Sequence, residues 1–71
     1  MNMMERGIRG PATLQYLDGD YRVLAPGAYV ICAVSGAQIA LEDLRYWNVD
    51  LQEAYASAVI ATKRFQQLRK A

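Results

Sequence analysis

Apolar and polar side chains alternate from Ala12 to Leu17, with Leu14 and Tyr16 on one side and Thr13 and Gln15 on the other. Period two is the signature of a half-buried strand. Asp18-Gly19 follows, a pair that tolerates the positive φ angles of a tight hairpin, and Tyr21 to Leu24 is the return strand. Ala25-Pro26-Gly27 is the next turn, proline fixing φ and glycine accepting the left-handed position of a type II geometry. Ala28 to Ala33 is apolar on both sides, Tyr29 and Ile31 alternating with Val30 and Cys32. That pattern predicts a central strand covered on both faces. Ser35-Gly36 turns the chain into a short return segment, Gln38 to Leu41, and Glu42-Asp43 forms a polar bend.

Alternation resumes from Arg45 to Leu51. Trp47, Val49 and Leu51 share the side expected to face the core, with Tyr46, Asn48 and Asp50 on the other. Residues 50–57 admit two readings. Asp50 and Glu53 have capping-box spacing, which would start a helix there. Ser57 is an equally good cap, and the period-two pattern favours a strand to about Glu53 and a helix over Ala58–Lys70. On that helix Ala58, Ala61, Phe65 and Leu68 make one apolar stripe, with Lys63 and Lys70 opposite. The sum is an α+β fold: a small, mainly antiparallel sheet of hairpins followed by one C-terminal amphipathic helix. Residues 1–11, with Gly7, Gly10 and Pro11, read as a flexible leader, and residues 12–71 as a single domain.

Seventy-one residues leave room for one modest core, because 11 of the hydrophobic residues are alanine. A chain this short buries only about 60% of the surface its unfolded form exposes. Small domains usually add a disulfide, a metal or a partner chain. One cysteine and no histidine exclude an internal disulfide and any histidine-based triad or ligand set. Charge is distributed unevenly: residues 10–53 carry −4 and residues 54–71 carry +4. An acidic body and a basic tail suit pairing within or between copies of the chain. The other reading makes Lys63, Arg64, Arg69 and Lys70 phosphate contacts to nucleic acid. No segment reaches the roughly 18 apolar residues of a membrane span, and a cytoplasmic location with a reduced thiol is expected.

Three segments resemble one small family: Tyr16-Leu17-Asp18-Gly19-Asp20-Tyr21-Arg22, then Pro26-Gly27, then Cys32-Ala33-Val34-Ser35-Gly36 running through Leu44-Arg45-Tyr46-Trp47 to Gln52-Glu53-Ala54-Tyr55-Ala56. Together they are similar to domain-of-unknown-function family number 2093, short alphaproteobacterial proteins. The resemblance implies a small bacterial protein and carries over no catalytic or binding residue.

The chemistry-bearing residues are few. Cys32-Ala-Val-Ser35-Gly36 has the form of a zinc-ribbon knuckle whose second cysteine is serine. A structural zinc needs four ligands, so this is a knuckle without metal, and no metal or other cofactor is expected. Asp18 and Asp20 read as turn chemistry, and Glu42, Asp43, Asp50 and Glu53 as a solvated rim. Ser35 and Ser57 have no base to activate them, so no catalytic residue is assigned and no enzymatic activity is expected. Tyr16, Tyr29 and Tyr46 on the second sheet face, with Phe65 on the helix, are the candidate interface. The expected role is a non-enzymatic interaction module acting as a homodimer, with exchange of a terminal element as one way to build it. A further protein partner is the remaining expectation, and a membrane is not a partner.

Overall fold

A computed structural model describes residues 9–70, excluding the side chain of Lys70. Among the described residues the elements in chain order are β1 (Thr13–Leu17), β2 (Asp20–Ala25), β3 (Tyr29–Ile31), β4 (Gln38–Ala40), β5 (Tyr46–Asn48), β6 (Glu53–Tyr55) and α1 (Ala58–Lys70), with a 3-10 turn at Leu41–Asp43 between β4 and β5. The strands form three antiparallel hairpins, β1–β2, β3–β4 and β5–β6. Parallel bridges at Pro11–Tyr29 and Cys32–Ala54 join neighbouring segments. The architecture is the expected α+β one.

The first hairpin closes over Asp18-Gly19, with Leu17 opposite Asp20 and Gly19 at φ 75°. Its register slips once: Thr13 faces Ala25 and Leu14 faces Val23, so Leu24 is the extra residue of a bulge in β2. Two residues of the expected leader, Gly10 and Pro11, are tied to the body of the fold. Gly10 O accepts the Ala28 N–H at 2.8 Å, and Ala12 N–H donates to Tyr29 O at 2.7 Å. Gly10 and Pro11 are thereby bound to the second hairpin, while the rest of the leader, residues 1–8, lies outside the described residues.

The central strand is narrower than its sequence pattern predicts. Val30 and Cys32 are buried, Tyr29 is half-buried and Ile31 is exposed, so only one face of β3 is covered. The expected strand from Arg45 to about Glu53 is broken. It ends at Asn48, turns through residues 49–52 and returns as β6. Val49 and Leu51 therefore stand exposed at a turn instead of extending the Trp47 face, and Trp47 itself is half-buried against the core.

Ser57 caps the helix. Its Oγ accepts the Ile60 N–H at 3.2 Å and its carbonyl accepts the Ala61 N–H at 3.0 Å. This decides between the two readings of residues 50–57: a strand, then a serine-capped helix. The inner face is rotated from the expected stripe. Ala61 is buried, Ile60 and Arg64 are half-buried, and Ala58 is exposed. The rotation follows from a polar contact, described below, that draws Arg64 toward β6. The core is Leu14, Tyr16, Val30, Cys32, Ile39, Leu44 and Ala54, with Ala12, Tyr21, Leu41, Trp47 and Ile60 against it.

Candidate functional site

Two hairpin turns share one design. Cys32 N–H donates to Ala37 O at 2.8 Å, leaving four residues, Ala33 to Gly36, in the loop. Asn48 pairs with Glu53, leaving four residues, Val49 to Gln52. In the first loop Cys32 Sγ accepts the Ser35 N–H at 3.4 Å. In the second, Asn48 Oδ1 accepts the Leu51 N–H at 3.0 Å. The next residue has positive φ in both, Gly36 at 77° and Gln52 at 54°. The knuckle expected at Cys32 thus occurs twice, the second time with Asn48 holding the turn through its carboxamide oxygen. Sequence reading missed the second copy because alternation conceals it. The available signal was an asparagine three residues before Leu51 in an otherwise extended run. Among the described residues no three cysteine, aspartate or glutamate side chains converge as a metal-ligand group.

Cys32 is free and 1% exposed. Burial pushes its thiol up. Hydrogen bonds from the Ser35 side chain and from the backbone of Ser35, Val34 and Ala56 outweigh that and bring it down to about 7. These donors stabilise a thiolate, but they also enclose it, so the sulfur is held by the fold and shielded from solvent.

Gln52 is the second residue that sequence reading missed. Its Oε1 accepts the Tyr16 N–H and its Nε2 donates to Tyr16 O, both at 2.8 Å, while Nε2 also reaches Val49 O at 2.7 Å. One carboxamide therefore occupies the outer edge of β1 as a neighbouring strand would. Trp47 Nε1 continues the edge, donating to Leu17 O at 2.8 Å. The Trp47 ring stacks on Tyr16 at 5.9 Å and meets Tyr21 edge-on at 5.8 Å.

A polar lock attaches the helix. Arg64 Nε and Nη2 donate to Glu53 at 3.2 and 3.3 Å, and the Tyr55 hydroxyl donates to Glu53 Oε1 at 2.8 Å. Burial opposes ionisation of Glu53, yet the Tyr55 and Arg64 hydrogen bonds hold it below the usual carboxylate range. Burial and the neighbouring carboxylate both push Tyr55 up. Tyr55 is fully buried and meets Phe65 edge-on at 5.9 Å.

The candidate interface residues separate. Tyr16 is a core residue, buried because its side of β1 faces Trp47, and it does not decorate a free sheet face. Tyr29 is half-buried, while Tyr46 and Phe65 are exposed. Of the four basic candidates, Arg64 is committed to Glu53. Lys63 lies on the helix side formed with Val59, Thr62 and Gln66, whereas Arg69 lines a different surface. The side chain of Lys70 lies outside the described residues. The basic residues therefore do not form one face.

Arg69 belongs to an open groove of about 670 Å³. Trp47, Val49, Phe65 and Leu68 supply its apolar surface, and Asp18 and Asp50 line it from the two strand turns. Leu17 and Leu51, next in sequence to those aspartates, are also exposed.

A family model matches residues 23–64, more than half the chain. The chain belongs to domain-of-unknown-function family 2093. That family is described as an uncharacterized protein conserved in bacteria, which assigns no activity and no site. No curated protein and no solved structure matches the chain. Within the span shared with family 2093 lie both knuckle turns, Gln52 and the Glu53–Tyr55–Arg64 lock, whereas β1, Asp18, Leu68 and Arg69 lie outside it.

Proposed function

We propose that this family 2093 protein is a cytoplasmic, non-enzymatic interaction module that works as a homodimer. One observation carries the reading: Val49, Phe65 and Leu68, each 36–42% exposed, line one open groove together with Trp47, and the exposed Leu17 and Leu51 adjoin its aspartates in sequence. Scattered exposed apolar residues are ordinary, but a rimmed cluster marks an association surface. The economy of a small chain points the same way. Among the described residues nine apolar residues are buried, two of them alanine and seven of them in the core cluster, and the single cysteine forms no disulfide. A second copy supplies the missing burial. A free buried cysteine suits a reducing compartment. Among the described residues no helix is long and apolar enough to cross a membrane.

Sedimentation equilibrium at micromolar concentration is the test. The expected result is a concentration-dependent species of twice the 8.0 kDa chain mass. A single 8.0 kDa species at every soluble concentration overturns the reading.

A further inference from the structure

We infer that the two copies meet through the groove itself, by a two-fold contact in which Arg69 of each copy lies against Asp18 and Asp50 of the other. This rests on the homodimer reading and places its interface. A two-fold interface brings the same patch of each subunit together, so the patch must be complementary to itself. The groove meets that requirement. Its centre is apolar, formed by Trp47, Val49, Phe65 and Leu68. Its strand side carries two carboxylates and its helix side one guanidinium. A half-turn about the centre puts each acidic side opposite the other copy's basic side.

Among the described residues none of the three charges is in an ion pair. The ion pair among the described residues is Arg64–Glu53, which leaves Arg69, Asp18 and Asp50 without one. Two other exposed surfaces, the β2 edge and the Val59 side of α1, fit a second copy less well. The β2 edge carries Leu24 as a bulge and is followed directly by Pro26, and Asp20 Oδ1 accepts the outward Tyr21 N–H at 2.7 Å. Bulges, prolines and charged residues are the devices that keep edge strands unpaired. The Val59 side of the helix carries Lys63 without an acidic residue beside it, so a two-fold contact there would oppose like charges.

A standard interface covers roughly a tenth of a small protein's surface per partner. A tenth of 5141 Å² gives about 1,000 Å² in total, at the lower limit of specific interfaces.

Charge exchange tests the geometry. Arg69→Glu is expected to weaken dimerisation at least tenfold in sedimentation equilibrium, and the double variant Asp18→Lys/Asp50→Lys to do the same. An equimolar mixture of the two restores association, because both charge contacts become attractive in the heterodimer. Leu68→Glu, at an exposed helical position, also disperses the dimer, and Val59→Glu leaves it unchanged. Far-ultraviolet circular dichroism of each variant establishes that it is folded. A wild-type dimer that persists in Arg69→Glu and Leu68→Glu overturns this interface while sparing the homodimer reading. Absence of association in the wild type removes both. A mixture that stays monomeric although each variant is folded also overturns the charge contact.

Discussion

Gly27→Ala should be among the most damaging single-methyl additions to this chain. An ideal Cβ at Gly27 would overlap Ala12 N and Pro11 C and stand 2.6 Å from Ala12 Cα. All three atoms belong to backbone, so no flexible side chain can yield. The backbone here is also tied down, by the Ala28–Gly10 and Ala12–Tyr29 hydrogen bonds at 2.8 and 2.7 Å. To admit the methyl group, the Gly10–Ala12 segment must leave β3. That forfeits two hydrogen bonds at about 1 kcal/mol each, to which overpacking strain of about 1–3 kcal/mol adds. The expected loss is about 3–5 kcal/mol, comparable to the stability of a domain this size. Thermal unfolding followed by circular dichroism should show a fall in Tm of more than about 12 °C, or no cooperative transition, at roughly 4 °C or more per kcal/mol. Gly10→Ala is the matched control, because its Cβ meets nothing within 4 Å. Equal Tm values for the two variants would refute the close approach of Gly27 to the Pro11–Ala12 peptide.

Trp47→Ala is expected to cost about 3 kcal/mol, since it removes the ring from Tyr16 and Tyr21 and the indole donor from Leu17 O. Tyr46→Ala, at a 40% exposed position, should cost under about 1 kcal/mol, and urea midpoints distinguish the pair. Gln52→Gly relieves a positive φ but removes the carboxamide from Tyr16; it should still destabilise and should accelerate exchange of the Tyr16 amide hydrogen, and a stabilised variant would show that backbone strain dominates there. Folding lowers the Cys32 thiol from 9.0 to about 7, so between those values the unfolded chain binds more protons and stability rises with pH. The rise is at most about 3 kcal/mol, is lost as pH falls through 7, and should be absent in Cys32→Ala; a flat wild-type profile from pH 7 to 9 would count against the thiolate.

Local chemistry was legible at most turns and caps, but Gly27 does not take the left-handed position expected of it and serves the close approach to Pro11–Ala12 instead. Asp18-Gly19, Ser35-Gly36 and the Ser57 cap each stand where their sequence placed them, and α1 has the expected span. The turn at residues 49–52 was not legible, because its conformation is imposed by side chains. Asn48 holds Leu51, and Gln52 adopts positive φ without being glycine. Alternation of Trp47, Val49 and Leu51 is therefore a coincidence of spacing across a bend. The helix face was misread for a similar reason: an apolar stripe takes no account of an arginine drawn inward by Glu53 and Tyr55. Tyr16 was placed outside because nothing local shows that Trp47, 31 positions later, stacks on it. The groove is assembled from β1–β2, β5–β6 and α1, so none of the three segments displays it alone.

The bond between Gln52 and Tyr16 also orders events on the ribosome. The first hairpin is complete once Ala25 has been made, yet the amide and carbonyl of Tyr16 find their partner 36 residues downstream. Until that glutamine leaves the exit tunnel, the outer edge of β1 lacks the partner that covers it in the folded chain. A product cut short before Gln52 keeps the Tyr16 amide and carbonyl without this partner permanently.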